Sequence, residues 1–143
     1  MATSTAEAVW EGNLKDGKGT MKLGSGAFNG AYSFRTRFEG APGTNPEELI
    51  GAAHAGCFSM ALSAGLGKAG FTPARIKTSA KVHLEKVGEG FKITRIQLTS
   101  EAAIPNITEA QFKEQAEGAK KGCVVSRALA GVSTINLKAT LKS

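Results

Sequence analysis

The chain has 143 residues, 41% of them apolar, which is enough for one domain whose core needs no disulfide staples or structural metal. Its formal net charge is +6, but the basic residues are scattered, Lys120-Lys121 is the only doublet and aromatics make up 6%. A nucleic-acid module concentrates its basic residues on one element and adds aromatics for stacking, so that class is set aside and the charge is read as solubility.

Residues 1–7 have neither a basic n-region nor an apolar run, so no signal peptide is expected there. A cytoplasmic location is expected, where a cysteine pair is more often catalytic or metal-binding than a stable disulfide.

The first third reads as strands. Residues 8–11 are short and extended, 13–17 are turn-like, and 19–23 alternate. The Gly24-Ser25-Gly26 turn leads into 32–39, where Tyr32, Phe34, Thr36 and Phe38 fall on one face of a strand and Ser33, Arg35, Arg37 and Glu39 on the other. A helix is predicted from Pro46 to about Gly65. Asn45 or Thr44 caps it, Pro46 suits the first helical position, and Glu47 and Glu48 sit at the positive end of the dipole. From Leu49 to Leu66 no residue carries a formal charge, which predicts a helix buried on nearly all sides. This stretch is the membrane-span candidate, but it is barely long enough, and its glycines, serines and His54 suit a protein core better than lipid.

A hairpin follows. Ile76, Thr78, Ala80, Val82 and Leu84 alternate with polar residues, 88–90 turn, and the return strand carries Phe91 and Ile93, then Ile96, Leu98, Ser100 and Ala102. The slip of phase between Ile93 and Ile96 predicts a bulge. A second helix starts at Thr108, where Gln111 completes a capping box, and ends at Gly122. A helical turn over 123–129 and a strand over 134–141 close the chain. The order predicts one α+β domain over residues 1–143 with mostly antiparallel pairing.

The chemistry centres on Cys57, in the middle of the long helix, and Cys123, just after the second. Two readings stand: small apolar side chains in a core, or a redox-active pair. No Cys-x-x-Cys is present and only His54 and His83 could join a zinc site, so no metal is expected. The redox reading needs a Cys57 thiolate, and burial alone pushes a thiol's pKa up. Cys57 lies too far along its helix for the dipole to help, so a cation must; Arg35 and Arg37 are the candidates. Glu47 either serves the helix dipole or fixes that arginine through a bidentate pair. On a continuous helix Glu47 and Cys57 lie about 15 Å apart along the axis. One arginine pairing with both requires a broken helix or a site assembled across two chains. His54, one turn before Cys57, is a base tuning that thiol or, preferentially, a buried histidine hydrogen-bonded to backbone or to a neighbouring chain.

These residues stand in segments that closely resemble the OsmC/Ohr (osmotically inducible protein C) family of hydroperoxide reductases along nearly the whole chain. The segments are Trp10-Glu11-Gly12, Thr36-Arg37-Phe38-Glu39-Gly40, Gly43-Thr44-Asn45-Pro46-Glu47-Glu48-Leu49, the 52–62 run around His54-Ala55-Gly56-Cys57-Phe58, and Gly122-Cys123-Val124-Val125-Ser126. The segment before the helix is more similar to the OsmC branch than to the Ohr branch. The resemblance implies an α+β fold of mostly antiparallel sheets packed around long central helices, in an intertwined homodimer with its active sites at the interface. It implies a thiol-dependent peroxidase of oxidative and osmotic stress defence, with Cys57 peroxidatic, Cys123 resolving, Arg37 activating the thiolate and Glu47 orienting the arginine. Organic hydroperoxides would be preferred, given Phe34, Phe38, Phe58 and Met60. No prosthetic cofactor is implied; a lipoylated protein or a thioredoxin-type dithiol would be the reductant. Val124 stands where many members carry proline. The competing reading is a non-catalytic redox-sensing or small-ligand-binding dimer.

Overall fold

Alternating residues over the first strands build a three-stranded antiparallel meander in the order β1-β2-β3: β1 Ala6–Glu11, β2 Lys18–Leu23 and β3 Asn29–Tyr32. Trp10 and Tyr32 meet across the middle strand with ring centroids 5.3 Å apart. The residue between them is Gly19, where a Cβ would lie 2.6 Å from the Tyr32 ring and 2.7 Å from the Trp10 ring, so only glycine lets the rings approach. The computed structural model describes residues 2–142, in two compact units that divide between Leu49 and Ile50.

After β3 the chain departs from the expected strand. Phe34–Phe38 is a short helix, α1, with Ser33 as N-cap: its hydroxyl accepts from the Thr36 amide, and Thr36 Oγ1 accepts from the Ser33 amide. The alternation that suggested a strand also contains i,i+4 pairs, and the helix uses those: Phe34 with Phe38 at 4.9 Å, and Arg35 with Glu39 at 3.6 Å. The Ser33–Thr36 box decides between the two periods by satisfying the first free amides.

Helix α2, Pro46–Lys68, is one uninterrupted element of 23 residues. Asn45 caps it by accepting from the Glu48 amide at 2.7 Å. The second unit is built on the body of α2 and on a sheet ordered β4-β5-β6: β4 Arg75–Val87, β5 Gly90–Ala103 and β6 Thr134–Lys142. The β4–β5 hairpin is antiparallel, with its register shift opposite Thr94, where the sequence predicts a bulge. Strand β6 runs parallel to β5, reached through α3, Glu109–Gly122, and α4, Val124–Ala128. Thr108 and Gln111 form the expected capping box of α3.

Two periods meet in the core. Ile96, Leu98, Ser100 and Ala102 of β5 point inward at every second position; Phe58, Leu62 and Leu66 of α2 and Phe112, Ala116 and Ala119 of α3 do so at helical spacing. Buried Ser100 is satisfied by a hydroxyl chain through Thr78 to Ser59, at 3.0 and 2.8 Å. Lys113 of α3 donates to the Ala139 carbonyl of β6 at 2.9 Å.

The expectation that α2 is buried on nearly all sides is not met. Gly51, His54, Phe58, Leu62 and Leu66 form one buried stripe, while Ala52, Ala53, Gly56, Met60 and Ala64 are exposed, Met60 at 76%. The missing charges therefore reflect two apolar faces, only one of which this chain covers. By length and composition α2 could cross a bilayer; here its buried stripe lies in the core of the second unit. Phe112 is fully buried where α3 meets the core. Phe112→Ala should cost about 3–5 kcal/mol of unfolding free energy; a urea midpoint unchanged from wild type would contradict this packing.

Candidate active site

In the first unit, α1 and the start of α2 bring Arg37 and Glu47 together. The guanidinium makes two parallel bonds to the carboxylate, Nε to Oε1 at 3.0 Å and Nη2 to Oε2 at 2.8 Å. Glu47 is buried, and Arg37 also lies over the Phe38 ring, 5.4 Å from its centroid. The turn between the two helices is held by Gly43 at φ +140, where a Cβ would meet the Thr36 methyl at 2.7 Å, and by Asn45, which donates to the Thr36 carbonyl at 3.3 Å. A bidentate pair fixes the plane of the guanidinium and leaves its other N–H groups available. Arg37 also lines a cleft of about 240 Å³ with Trp10, Leu14, Phe34 and Phe38.

In the second unit, α2 and α4 bring the two cysteines together. Both are free thiols and their side chains are neighbours. Cys123 is the N-cap residue of α4 and is 1% exposed; Cys57 is only partly buried. Both sulfurs lie beside the backbone at the head of α4, which draws the pKa of each thiol down, although Cys123 makes no side-chain capping bond to that helix. Burial pushes the Cys57 thiol up, and the neighbouring Cys123 adds to this. Burial also pushes Cys123 up, but its neighbours Cys57, Ser126 and Val125 outweigh it and leave that thiol low. The two thiols titrate as a pair, so charge on one raises the cost of charge on the other.

His54 is fully buried and does not act on Cys57 directly. Its Nε2 lies 2.6 Å from Ser126 Oγ, a side-chain partner in place of the expected backbone. Ser126 is the partner that sequence reasoning did not single out for His54; its signal is its place one helical turn after Cys123, which puts its hydroxyl beside that sulfur. Of the apolar residues expected near the chemistry, Phe34 and Phe38 line the cleft with Arg37, Phe58 is buried in the core and Met60 is exposed. Among the described residues no group of three or more His, Cys, Asp and Glu side chains is placed to hold a metal ion.

Residues 38–138 match the family described as OsmC-like protein. Over 131 residues the chain is 56% identical to Peroxiredoxin OsmC of Escherichia coli (strain K12), covering 91% of this chain and 92% of that protein. The same identity and coverage hold for the protein of that name from Shigella flexneri. Among solved structures, the organic hydroperoxide resistance protein OhrB of Bacillus subtilis is similar at 25% identity with a TM-score of 0.68, covering 96% of this chain and 98% of that one. An OsmC-like protein from Mycoplasma pneumoniae shares the fold with a TM-score of 0.77 at 20% identity, covering 99% of each chain.

Burial lowers the pKa of His54, so the native ring is neutral. Below the ordinary histidine pKa of about 6.5 the unfolded chain takes up a proton that native His54 refuses, so acidification through that range removes stability. The Tm should fall between about pH 7 and about pH 5, and His54→Gln should flatten the fall. An equal fall in wild type and variant would assign the acid sensitivity elsewhere.

Proposed function

The chain belongs to the OsmC-like protein family, and from that premise we propose that it is a two-cysteine hydroperoxide reductase in which Cys57 takes the peroxide oxygen and Cys123 resolves the product. The observation that carries this reading is the neighbouring pair of free thiols at the head of α4, one partly exposed and one buried. The Cys57 thiolate attacks the distal oxygen of ROOH, the O–O bond breaks, and an alcohol leaves with Cys57 as a sulfenic acid. Cys123 then condenses with it to a disulfide and releases water. An external dithiol restores both thiols by exchange.

Cys57 must be the first thiolate for this chemistry, and its own chain raises its pKa. A cation beside the sulfur lowers it again, and the Glu47-anchored Arg37 is the group suited to it. The unbroken course of α2 from Pro46 to Lys68 supports the reading in which the Arg37 serving each Cys57 comes from a second copy of the chain. The exposed apolar face of α2 supports such a homodimer, since faces of this kind are normally covered. In each subunit residues 1–143 act as one OsmC-like domain. The aromatic cleft beside Arg37 favours an organic R group, so organic hydroperoxides are the preferred substrates and hydrogen peroxide a poorer one. A lipoylated protein or a thioredoxin-type dithiol is the reductant. The cytoplasm, which keeps thiols reduced, suits the cycle, and the role is defence against oxidative and osmotic stress.

Consumption of cumene hydroperoxide with dihydrolipoamide tests the activity. Cys57→Ser should abolish turnover, and Arg37→Ala should slow the first step roughly a hundredfold while the fold is kept. Wild type with reduced thiols and no turnover would favour the redox-sensing alternative. Refolding Cys57→Ser and Arg37→Ala chains together tests the shared site. Each mixed dimer would hold one complete site, restoring about a quarter of wild-type activity; no restoration would put Arg37 and Cys57 of one site on the same chain.

A further inference from the structure

One more pair of side chains joins α2 to α4. His54 Nε2 is 2.6 Å from Ser126 Oγ, and Ser126 stands at the third position of the helix that Cys123 begins, one turn on, where its hydroxyl neighbours the Cys123 thiol. With Cys57 beside Cys123, four side chains follow one another: His54, Ser126, Cys123, Cys57. The first three are 0%, 8% and 1% exposed. Peroxide attack uses neither His54 nor Ser126. Nδ1 of His54 is buried without a hydrogen-bond partner among the described residues, so the polar bonding of the ring is spent on Ser126. A histidine kept only for packing gains nothing from an orphaned ring nitrogen in the interior.

The neutral ring carries one N–H. With that hydrogen on Nε2, His54 donates to Ser126 Oγ, and the serine hydrogen is left with the Cys123 sulfur as its acceptor. Building on the two-cysteine cycle proposed above, we infer that His54 and Ser126 are positioning residues for its resolving half: His54 orients Ser126, and the Ser126 hydroxyl steadies negative charge on Cys123. During closure the Cys123 sulfur attacks the Cys57 sulfur, the Cys57 S–O bond breaks, and the Cys123 proton leaves with the hydroxide as water. The Cys57 sulfur is reduced as the Cys123 sulfur is oxidised. During reopening the external dithiol attacks the more accessible Cys57 sulfur, and Cys123 departs as the thiolate that Ser126 stabilises. The titratable groups acting on Cys123 are Cys57 and, through Ser126, His54, both on α2.

The test is a single turnover of the reduced protein with one equivalent of cumene hydroperoxide. It is quenched with a thiol-blocking reagent and analysed by mass spectrometry for Cys57 sulfenic acid and for the Cys57–Cys123 disulfide, across a pH series. In Ser126→Ala the disulfide should form roughly tenfold to a hundredfold more slowly, and its rate should reach half-maximum at higher pH. Ser126→Thr, which keeps the hydroxyl, should restore both rate and midpoint. His54→Gln should shift the midpoint in the same direction, and it carries the test if Ser126→Ala fails to fold. Closure in Ser126→Ala and His54→Gln at the wild-type rate and midpoint would overturn the inference and leave the two-cysteine cycle intact. Wild type that consumes hydroperoxide without forming the Cys57–Cys123 disulfide would overturn the cycle and the inference with it.

Discussion

Cys57 stands ten positions after Glu47 on an unbroken helix, and the proposed site has to accommodate that separation. Glu47 lies in the first turn of α2, where the helix dipole favours a carboxylate and where α1 delivers Arg37 to it. Cys57 lies in the middle, where the dipole has faded, and about 15 Å along the axis from Glu47. An arginine locked to the first cannot be turned to the second without giving up two charge-assisted bonds. The two-copy reading resolves this without breaking anything. It also gives the second apolar face of α2 a purpose, since a helix that lacks charge on both faces wants a partner on both.

The electrostatics of the thiol pair explain why a cation is needed at all. Two neighbouring sulfurs do not ionise independently, because charge on one raises the cost of charge on the other. Within the second unit burial and the neighbouring Cys123 raise the Cys57 thiol, while the surroundings of the buried Cys123 lower that one. In the proposed cycle Cys57 must carry charge for attack, and a guanidinium brought to it would supply what its own chain does not. It would leave the surroundings of Cys123 unchanged. Activation and resolution then rest on different groups and can be tuned separately.

Much of this was legible in the sequence because it rests on local rules. The Thr108–Gln111 box, the Asn45 cap, the β5 alternation and the bulge opposite Thr94 each follow from a few adjacent residues. A bidentate pair from Glu47 to an arginine was one of two readings of that carboxylate; local chemistry left Arg35 and Arg37 both open, and the family resemblance pointed to Arg37, which the fold pairs with Glu47. Residues 34–38 were misread because alternation at period two contains pairs at i,i+4, and only the Ser33–Thr36 box separates the cases. The burial of α2 was misread because absence of charge says that a face is apolar, not which chain covers it. The partnership of His54 with Ser126 spans 72 positions and depends on how α4 packs on α2, which no local pattern encodes.

His54 ties stability and chemistry together in one residue. Burial keeps its ring neutral, and neutrality lets a single N–H set the direction of the Ser126 hydroxyl. An exposed histidine would be protonated in a fraction of molecules near neutrality and would rotate freely, and it could not hold the serine in one orientation. The same burial makes the fold sensitive to acid, because the unfolded chain accepts the proton that the native ring refuses. Nδ1 of the same ring is buried without a hydrogen-bond partner among the described residues, which a purely structural histidine does not favour. Proteins tolerate such departures from full polar satisfaction mainly where function requires them. A pure packing role for position 54 would be met better by leucine or methionine, which carry no nitrogen to leave unpaired. That histidine stands there, one turn from Cys57 on the sequence yet bonded to the serine that serves Cys123, places its value in the chemistry of the second sulfur.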